Sequence, residues 1–204
     1  MLPLRLNQLG KWRDVWRRGR GRGTYPHELA FLLLFPFRSL ILSRRELVRR
    51  LHLTETSRVL ELGPGPGFFS AQVASSLLRG HLCLVDVQRE MLQKVRRRLA
   101  RAGTTNVSFT QAEASALPFA RDAFDVAFLV AVLGEVPDPR GCAGSLCNTL
   151  RTGGMLSVSE LPGDPDAMPE SEVRAIAEAT GFDYVETFPI LRGFTANFRK
   201  RSRP

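Results

Sequence analysis

Short apolar runs alternate with longer amphipathic stretches along most of this chain. Two of the runs end in an acidic residue, at Glu61 and at Asp86, and are otherwise typical of strands buried in a parallel sheet. Further strands are expected from Val107 onward and at residues 124–130 and 150–160. The intervening segments have helical periodicity, which predicts helices at residues 70–78, 89–102 and 139–150. This alternation predicts an α/β fold whose sheet carries helices on both faces.

The end of the chain breaks this alternation. Residues 183–189 and 194–200 both have the composition of strands, and only residues 190–193 separate them. A parallel crossover needs a dozen or more residues, so the pair is expected to form an antiparallel hairpin. The sequence therefore predicts a seven-stranded, mainly parallel sheet that ends in an antiparallel hairpin.

A glycine-rich turn follows the first predicted strand. Glu61 lies at the carboxyl end of that strand, and Gly63, Gly65 and Gly67 then occupy alternate positions, where the backbone can turn sharply and approach a ligand closely. A phosphate loop is excluded, because Phe68 stands where such a loop has its lysine. A dinucleotide fingerprint is disfavoured, because the third glycine comes one residue early and the carboxylate would repel a pyrophosphate.

Four further blocks follow the glycine loop in a fixed order. The second strand ends at Asp86, the block 107–119 contains Glu113, residues 124–130 form the fourth strand, and a Gly-Gly turn leads into the fifth strand within 150–160. In this arrangement the chain resembles the class I S-adenosylmethionine-dependent methyltransferases. Among them it is similar to the small-molecule enzymes of the quinone-biosynthesis (type 11) kind.

The resemblance implies a Rossmann-like methyltransferase fold that binds S-adenosylmethionine and releases S-adenosylhomocysteine. It implies that Asp86 accepts hydrogen bonds from the ribose hydroxyls and that Glu113 accepts one from the adenine amino group. The cofactor-binding residues expected from the resemblance are Glu61, Gly63, Pro64, Gly65, Gly67, Asp86, Val87, Met91, Glu113, Ala114 and Val130.

The segment after the fourth strand is where related enzymes differ in their chemistry. Enzymes that methylate amino groups of bases carry an Asn/Asp-Pro-Pro-Tyr/Phe block there, whereas this chain reads Val-Ala-Val-Leu-Gly-Glu-Val-Pro-Asp over residues 130–138. Many quinone-type enzymes have a histidine pair in this place, and this chain has Gly134-Glu135 instead. A general base is optional for transfer from a sulfonium, and Glu135 is the candidate for orienting or deprotonating an acceptor, although it could equally cap the next helix.

Charge divides the chain into two parts. Residues 1–52 carry twelve Lys/Arg and three Asp/Glu, whereas residues 53–204 carry seventeen of each. We therefore expect a basic and apolar N-terminal segment, 1–52, that serves as a helical lid or anchor, followed by a cofactor-binding domain, 53–204. The apolar run at 29–37 is too short to span a bilayer.

Several roles fit the N-terminal segment. It could cover the cofactor crevice as a lid, or it could rest on an anionic membrane surface through its tryptophans and arginines. A nucleic-acid patch is disfavoured, because the remainder of the chain is not basic, and a transit peptide over 1–23 is a minor alternative because serine is absent there.

The acceptor substrate is expected to be small and apolar or amphipathic, such as a lipid, a quinone-like ring or a secondary metabolite. This expectation comes from the leucine- and phenylalanine-rich N-terminal segment, which would contribute Tyr25, His27 and Phe31 to the substrate pocket. An RNA or protein methyltransferase and a module that binds the cofactor without catalysing transfer are the alternatives.

Cysteine and histidine do not indicate a metal site. Cys83, Cys142 and Cys147 are scattered, and Cys142 and Cys147 are spaced so that a helix would not bring both thiols to one face. This usage is typical of a reducing cytoplasm, so we expect a cytoplasmic protein that can associate peripherally with a membrane. The sequence does not indicate an oligomeric state.

Overall fold

The computed structural model describes residues 42–161 and 166–202. The predicted pocket residues Tyr25, His27 and Phe31, and most of the N-terminal segment, lie outside these ranges. The described helices are α1 Arg44–Arg50, α2 Ser70–Ser75, α3 Arg89–Arg101, α4 Pro139–Thr149 and α5 Glu170–Ala179. The strands are β1 Arg58–Leu62, β2 His81–Asp86, β3 Val107–Gln111, β4 Phe124–Val130, β5 Leu150–Glu160, β6 Phe182–Ile190 and β7 Gly193–Lys200. A 3-10 turn, Leu133–Glu135, follows β4.

The seven strands form one sheet in the order β3-β2-β1-β4-β5-β7-β6. Strands β1 to β5 are mutually parallel, while β7 runs antiparallel to both of its neighbours, β5 and β6. The predicted mainly parallel sheet with a terminal antiparallel hairpin is therefore confirmed. Strand order reverses between β1 and β4, and in open α/β sheets the crevice at such a reversal, outside the carboxyl ends of the strands, is where ligands bind.

Local differences from the predicted elements have identifiable causes. Helix α2 ends at Ser75 rather than at residue 78, because the hydroxyls of Ser75 and Ser76 both donate to the carbonyl oxygen of Gln72 and compete with the helical pattern. The β6–β7 turn contains only Leu191 and Arg192 instead of four residues. Helix α5 was not predicted at all.

Two apolar layers cover the sheet. One face packs against α1, α2 and α3, and the other against α4 and α5. Leu47 and Leu51, at α1 and its end, are fully buried in the first layer. Helix α1 therefore belongs to the packed body of the protein, although its residues fall within the basic N-terminal segment, 1–52.

Polar contacts fix α1 at both of its ends. The hydroxyl of Ser43 accepts a hydrogen bond from the backbone N–H of Glu46 and so caps the helix. At the other end, the buried guanidinium of Arg50 donates to Oγ1 of Thr195 on β7 at 2.9 Å and to Oε1 of Glu46. The helix thus ties the N-terminal side of the chain to the terminal hairpin.

None of the helices in the described ranges combines the length and the apolar content that crossing a bilayer requires.

Candidate cofactor and active site

The glycine loop leaves β1 at the carboxyl edge of the sheet and doubles back before α2. The N–H of Gly63 donates to the carbonyl oxygen of Val85 on β2 at 2.8 Å, and the N–H of Gly67 donates to that of Pro64 at 2.9 Å. Pro64 itself is buried. These two hydrogen bonds hold the loop over the ends of β1 and β2.

Glycine is required in this loop for both conformation and space. Gly63 and Gly67 have φ of +65° and +79°, values that disfavour any residue with a Cβ. A Cβ on Gly63 would lie 2.6 Å from Cγ2 of Val132, and one on Gly67 would lie 2.5 Å from Cγ2 of Val95. The loop therefore packs directly against the segment after β4 and against α3.

Glu61 is an ionisable group buried beneath the loop. Its side chain is 3% exposed, and its Oε2 makes no hydrogen bond with any residue in the described ranges. Burial raises the pKa of Glu61 to about 8; the hydroxyl of Ser70 opposes this shift, and the charge of Asp86 adds to it. A buried carboxyl with an unsatisfied oxygen is suited to receive a cationic donor from a ligand.

Asp86 ends β2 in the same crevice. It is 8% exposed, and its Oδ1 accepts a hydrogen bond from the N–H of Gln88 at 2.9 Å. Burial raises the pKa of Asp86 to about 6, while the N–H groups of Gln88, Gly65 and Val87 favour the carboxylate and limit the increase. Because β1 and β2 pair in register up to Leu62 and Val85, the two carboxyls end neighbouring strands at one edge.

The other expected cofactor residues divide between the same edge and the loop after β3. Val87 is partly exposed just beyond β2, Met91 is buried in the first turn of α3, and Val130 is buried at the end of β4. Glu113 is exposed and Ala114 is half-buried on the loop after β3. That loop is tied to β2 through the N–H of Ala112, which donates to the carbonyl oxygen of Asp86 at 3.3 Å.

The end of β4 has an unusual backbone. Ala131 has φ of +56°, a conformation that costs a residue with a side chain about 1–2 kcal/mol, and its N–H donates to the carbonyl oxygen of Ser159 on β5 at 2.8 Å. The 3-10 turn that follows places Glu135, half-buried, at the carboxyl edge of the sheet. Strain at this position is typical of functional sites, where the surroundings must impose it.

A cavity of about 290 Å³ opens one strand further along, between the end of β5, the start of α5 and the β6–β7 turn. Its lining is mixed: apolar side chains such as Leu161, Met168 and Phe194 stand beside the carboxyls of Glu160 and Glu170 and the guanidinium of Arg192. Glu160 is buried and directly follows Ser159, the residue that pairs with Val130. The cavity is therefore adjacent to the end of β4.

Sequence reasoning did not identify several of these groups. Ser70 beside Glu61, Val132 against Gly63 and Glu160 in the cavity emerge only from the packing. The position of Glu160 at the end of a buried strand, equivalent to that of Glu61 and Asp86, is the one feature that could have indicated it.

No group of three or more metal-ligating side chains occurs within residues 42–161 and 166–202. Cys83 and Cys142 are buried, and burial raises the pKa of the Cys142 thiol to about 12, which makes it a poor nucleophile. The thiols thus have the environment of core residues.

The geometry fits S-adenosylmethionine on structural grounds. Its ammonium group would suit the unsatisfied buried oxygen of Glu61, and its ribose hydroxyls would suit the carboxylate of Asp86. The glycine loop leaves room for the ligand to lie directly against the backbone. The fold and the site together define the class I S-adenosylmethionine-dependent methyltransferases.

The chain belongs to the methyltransferase domain family, whose model matches residues 53–187. It is 36% identical over 108 residues to demethylmenaquinone methyltransferase of Clavibacter sepedonicus, a match that covers 53% of this chain and 42% of that protein. It is 29% identical over 145 residues to arsenite methyltransferase of Halobacterium salinarum, which covers 68% of this chain and 37% of that protein. The chain thus spans less than half the length of these curated relatives.

Among solved structures, the chain is similar to an S-adenosylmethionine-dependent methyltransferase from Aquifex aeolicus. The TM-score is 0.82 at 19% identity, and the match covers 87% of this chain and all of that one. At this level of identity the comparison confirms the fold.

Proposed function

We propose that this protein transfers the methyl group of S-adenosylmethionine to a small apolar or amphipathic acceptor. The observation that carries the proposal is the buried pair Glu61 and Asp86, which end neighbouring strands beneath the glycine loop. A buried pair of carboxyls with raised pKa values is costly to fold, and it is expected where a ligand compensates for the cost.

Each carboxyl has a distinct role in binding. Glu61 in its ionised form accepts a hydrogen bond from the ammonium group of the methionine portion through the oxygen that no described residue satisfies. Asp86 accepts from the ribose hydroxyls, and Glu113, exposed on the loop after β3, reaches the adenine amino group. The cofactor supplies a methyl group that is already activated on a sulfonium.

The remaining residues act on the acceptor. Transfer requires the acceptor atom in line with the methyl group at about 3 Å and the exclusion of water. Leu161, Met168 and Phe194, the apolar side chains in the mixed lining of the cavity beside β5, support binding of a ring or chain. Glu135 orients or deprotonates the acceptor from the 3-10 turn after β4. The name of the Clavibacter relative is consistent with a quinone-like acceptor.

The cofactor assignment is tested by calorimetric titration of the purified chain with S-adenosylmethionine, S-adenosylhomocysteine and NADH. We expect the two sulfur nucleosides to bind, NADH not to bind, and Asp86→Asn to weaken binding at least tenfold. Asp183→Asn is the matched control, because Asp183 is an exposed carboxylate that pairs with Arg201 far from the loop. Preferential binding of NADH would overturn the assignment.

The acceptor assignment needs a turnover assay. Formation of S-adenosylhomocysteine is measured with reduced quinones, phenols and fatty acids, and in parallel with RNA and a protein extract. We expect turnover with a compound of the first group and a large fall in kcat for Glu135→Gln, with the affinity for S-adenosylmethionine unchanged. Turnover confined to RNA or protein would contradict the small-molecule proposal.

A further inference from the structure

Helix α3 carries far more positive charge than its own structure requires. Its sequence, REMLQKVRRRLAR, contains six basic residues and one acidic residue. Arg97 and Arg101 are spaced i,i+4 and both are exposed, so like charges face each other on one side of the helix, which is destabilising. The helix dipole favours cations in the last turn and offsets part of this cost. It does not account for Arg97, which precedes that turn.

Outside α1 and α3, five of the nine exposed arginines in the described ranges have a carboxylate partner. Arg151 pairs with Asp125 at 2.7 Å, and Arg174 pairs with Glu178 at 2.8 Å. By contrast, no carboxylate of the described ranges lies within ion-pair distance of Arg44, Arg45, Arg97, Arg98 or Arg101. Of the other arginines in the described ranges without such a partner, Arg89 and Arg96 are also on α3, whereas Arg121, Arg140, Arg192 and Arg199 are scattered over separate elements.

These five arginines belong to two helices that cover the same face of the sheet. Leu47 of α1 and Leu99 of α3 are members of one apolar cluster. The exposed arginines of both helices lie on the solvent side of this cluster, and the charge of Arg44 adds to the lowering of the Arg98 pKa that burial causes. The cations therefore form one surface, which we call the basic face: Arg44, Arg45, Arg97, Arg98 and Arg101.

A large apolar side chain is exposed on the same side of the sheet as the basic face, beside Leu77 of the shared apolar layer. Leu78, just after α2, is 70% exposed. The segment that follows α3 reaches this point, because Nδ2 of Asn106 donates to the carbonyl oxygen of Leu77 at 2.8 Å. The connection from α3 to β3 thus packs against the segment that carries this exposed leucine, on the sheet face that α1 and α3 cover. Arginines around a protruding leucine are the arrangement with which proteins bind the interface of an anionic bilayer.

We propose that the basic face is a docking surface for an anionic lipid bilayer. The phosphates of the headgroups compensate the guanidiniums that have no carboxylate partner in the described ranges, and Leu78 enters the boundary between headgroups and acyl chains. Residues 1–41 add to the basic character of the chain, because they carry eight Lys/Arg against two Asp/Glu. The apolar run at 29–37, shortly before α1, favours lipid over nucleic acid as the partner.

The proposal is tested by co-sedimentation of the full chain with vesicles of phosphatidylcholine, with and without phosphatidylglycerol. We expect binding only to the anionic vesicles, with affinity falling as salt rises. The double variant R97Q/R101Q is expected to bind them about tenfold or more weakly. R121Q/R140Q is the matched control, because it removes the same charge from exposed positions outside the basic face. It is expected to bind within about twofold of the unchanged protein.

Leu78→Ser separates insertion from simple charge attraction, and we expect it to weaken vesicle binding without changing the salt dependence. Thermal melts establish that every variant remains folded. Equal losses of vesicle binding in R97Q/R101Q and R121Q/R140Q would overturn the proposal. Unchanged vesicle binding by R97Q/R101Q would overturn it as well. Tighter binding to single-stranded RNA than to anionic vesicles, lost in R97Q/R101Q, would assign the face to nucleic acid and overturn it as well.

Discussion

The guanidinium of Arg44 holds the backbone of Phe68, the residue that follows the last glycine of the cofactor loop. Its Nε donates to the carbonyl oxygen of Phe68 at 2.9 Å, and its Cζ lies 4.3 Å from the centre of the Phe68 ring. Helix α1 thus contacts the loop with its first residue, while Arg50 at its end contacts β7. The helix connects the cofactor loop with the terminal hairpin.

Arg44→Ala is therefore expected to weaken S-adenosylmethionine binding several-fold. Loss of the hydrogen bond and of the cation–π contact frees the turn between Gly67 and α2, at a cost of about 1–2 kcal/mol in the free energy of unfolding. Arg45→Ala is the matched control, because it removes the same charge one residue away without either contact. Calorimetric titration and urea denaturation measure the two effects. Equal behaviour of the two variants would show that Arg44 acts only through its charge.

Substitution of Gly63 is expected to disturb two segments at once. Gly63→Ala incurs a left-handed backbone penalty of about 1–2 kcal/mol and an overlap with Val132 that costs about 1–3 kcal/mol more. Gly103→Ala is the control for the left-handed backbone penalty alone, since Gly103 has a similar φ of +69° and no atom lies within 4 Å of the added Cβ. Urea denaturation should show a clearly smaller loss for Gly103→Ala.

The double variant Gly63→Ala/Val132→Ala isolates the overlap. Because alanine at 132 removes the methyl groups that the new Cβ meets, the loss of stability in the double variant should be smaller than the sum of the two single losses. Simple additivity would contradict the close approach of the glycine loop to the segment after β4.

The ligand-free protein is expected to lose stability as pH rises. The pKa of Glu61 increases from 4.5 to about 8 on folding, and that of Asp86 from 3.8 to about 6. At pH values between the unfolded and the folded pKa of each group, the folded protein retains protons that the unfolded chain has released. The stabilisation that these raised pKa values give the folded protein is therefore fully present below the pKa values of the unfolded chain. It is lost as pH rises through the pKa values of the folded protein. The decrease in the free energy of unfolding is on the order of a few kcal/mol.

Urea denaturation across this pH window checks the expectation. Glu61→Gln should flatten the profile because the amide cannot ionise, whereas Glu55→Gln, which alters an exposed carboxylate, should leave it unchanged. Saturating S-adenosylmethionine should also flatten it, because the ammonium group stabilises the ionised form of Glu61. If the pH profile of Glu61→Gln were identical to that of the unchanged protein, the Glu61 carboxyl would not titrate in this pH window.

Truncations are expected to locate the start of the folded body before α1. Removal of residues 1–40 leaves Leu42, the Ser43 cap and α1 intact and should preserve cooperative unfolding and cofactor binding. Removal of residues 1–52 deletes Leu47 and Leu51, each worth about 1.5–3 kcal/mol when buried, and should destabilise the protein strongly. Thermal melts of the two truncated chains distinguish these cases. Equal melting temperatures would place the boundary at residue 53 instead.

Much of the fold follows from local patterns. The apolar runs that end at Glu61 and Asp86, the helical periods between them and the short turn before β7 all act over a few residues, so they can be read from the chain. The positions of Glu61 and Asp86 at one edge of the sheet could be predicted for the same reason, since parallel strands bring their carboxyl ends together, whereas their roles toward the cofactor came from the family resemblance and stay a prediction.

The tertiary structure alone decides the contacts between distant segments. Gly63 meets Val132, Arg44 meets Phe68, and the cavity forms between β5 and the terminal hairpin, none of which leaves a local pattern in the sequence. The protonation of Glu61 likewise depends on burial by surrounding elements rather than on its neighbours in the chain. The sequence by itself determines which residues end the strands, because periodicity and turn chemistry are local. Packing decides what those residues touch and how they ionise, because burial and distance are properties of the folded chain.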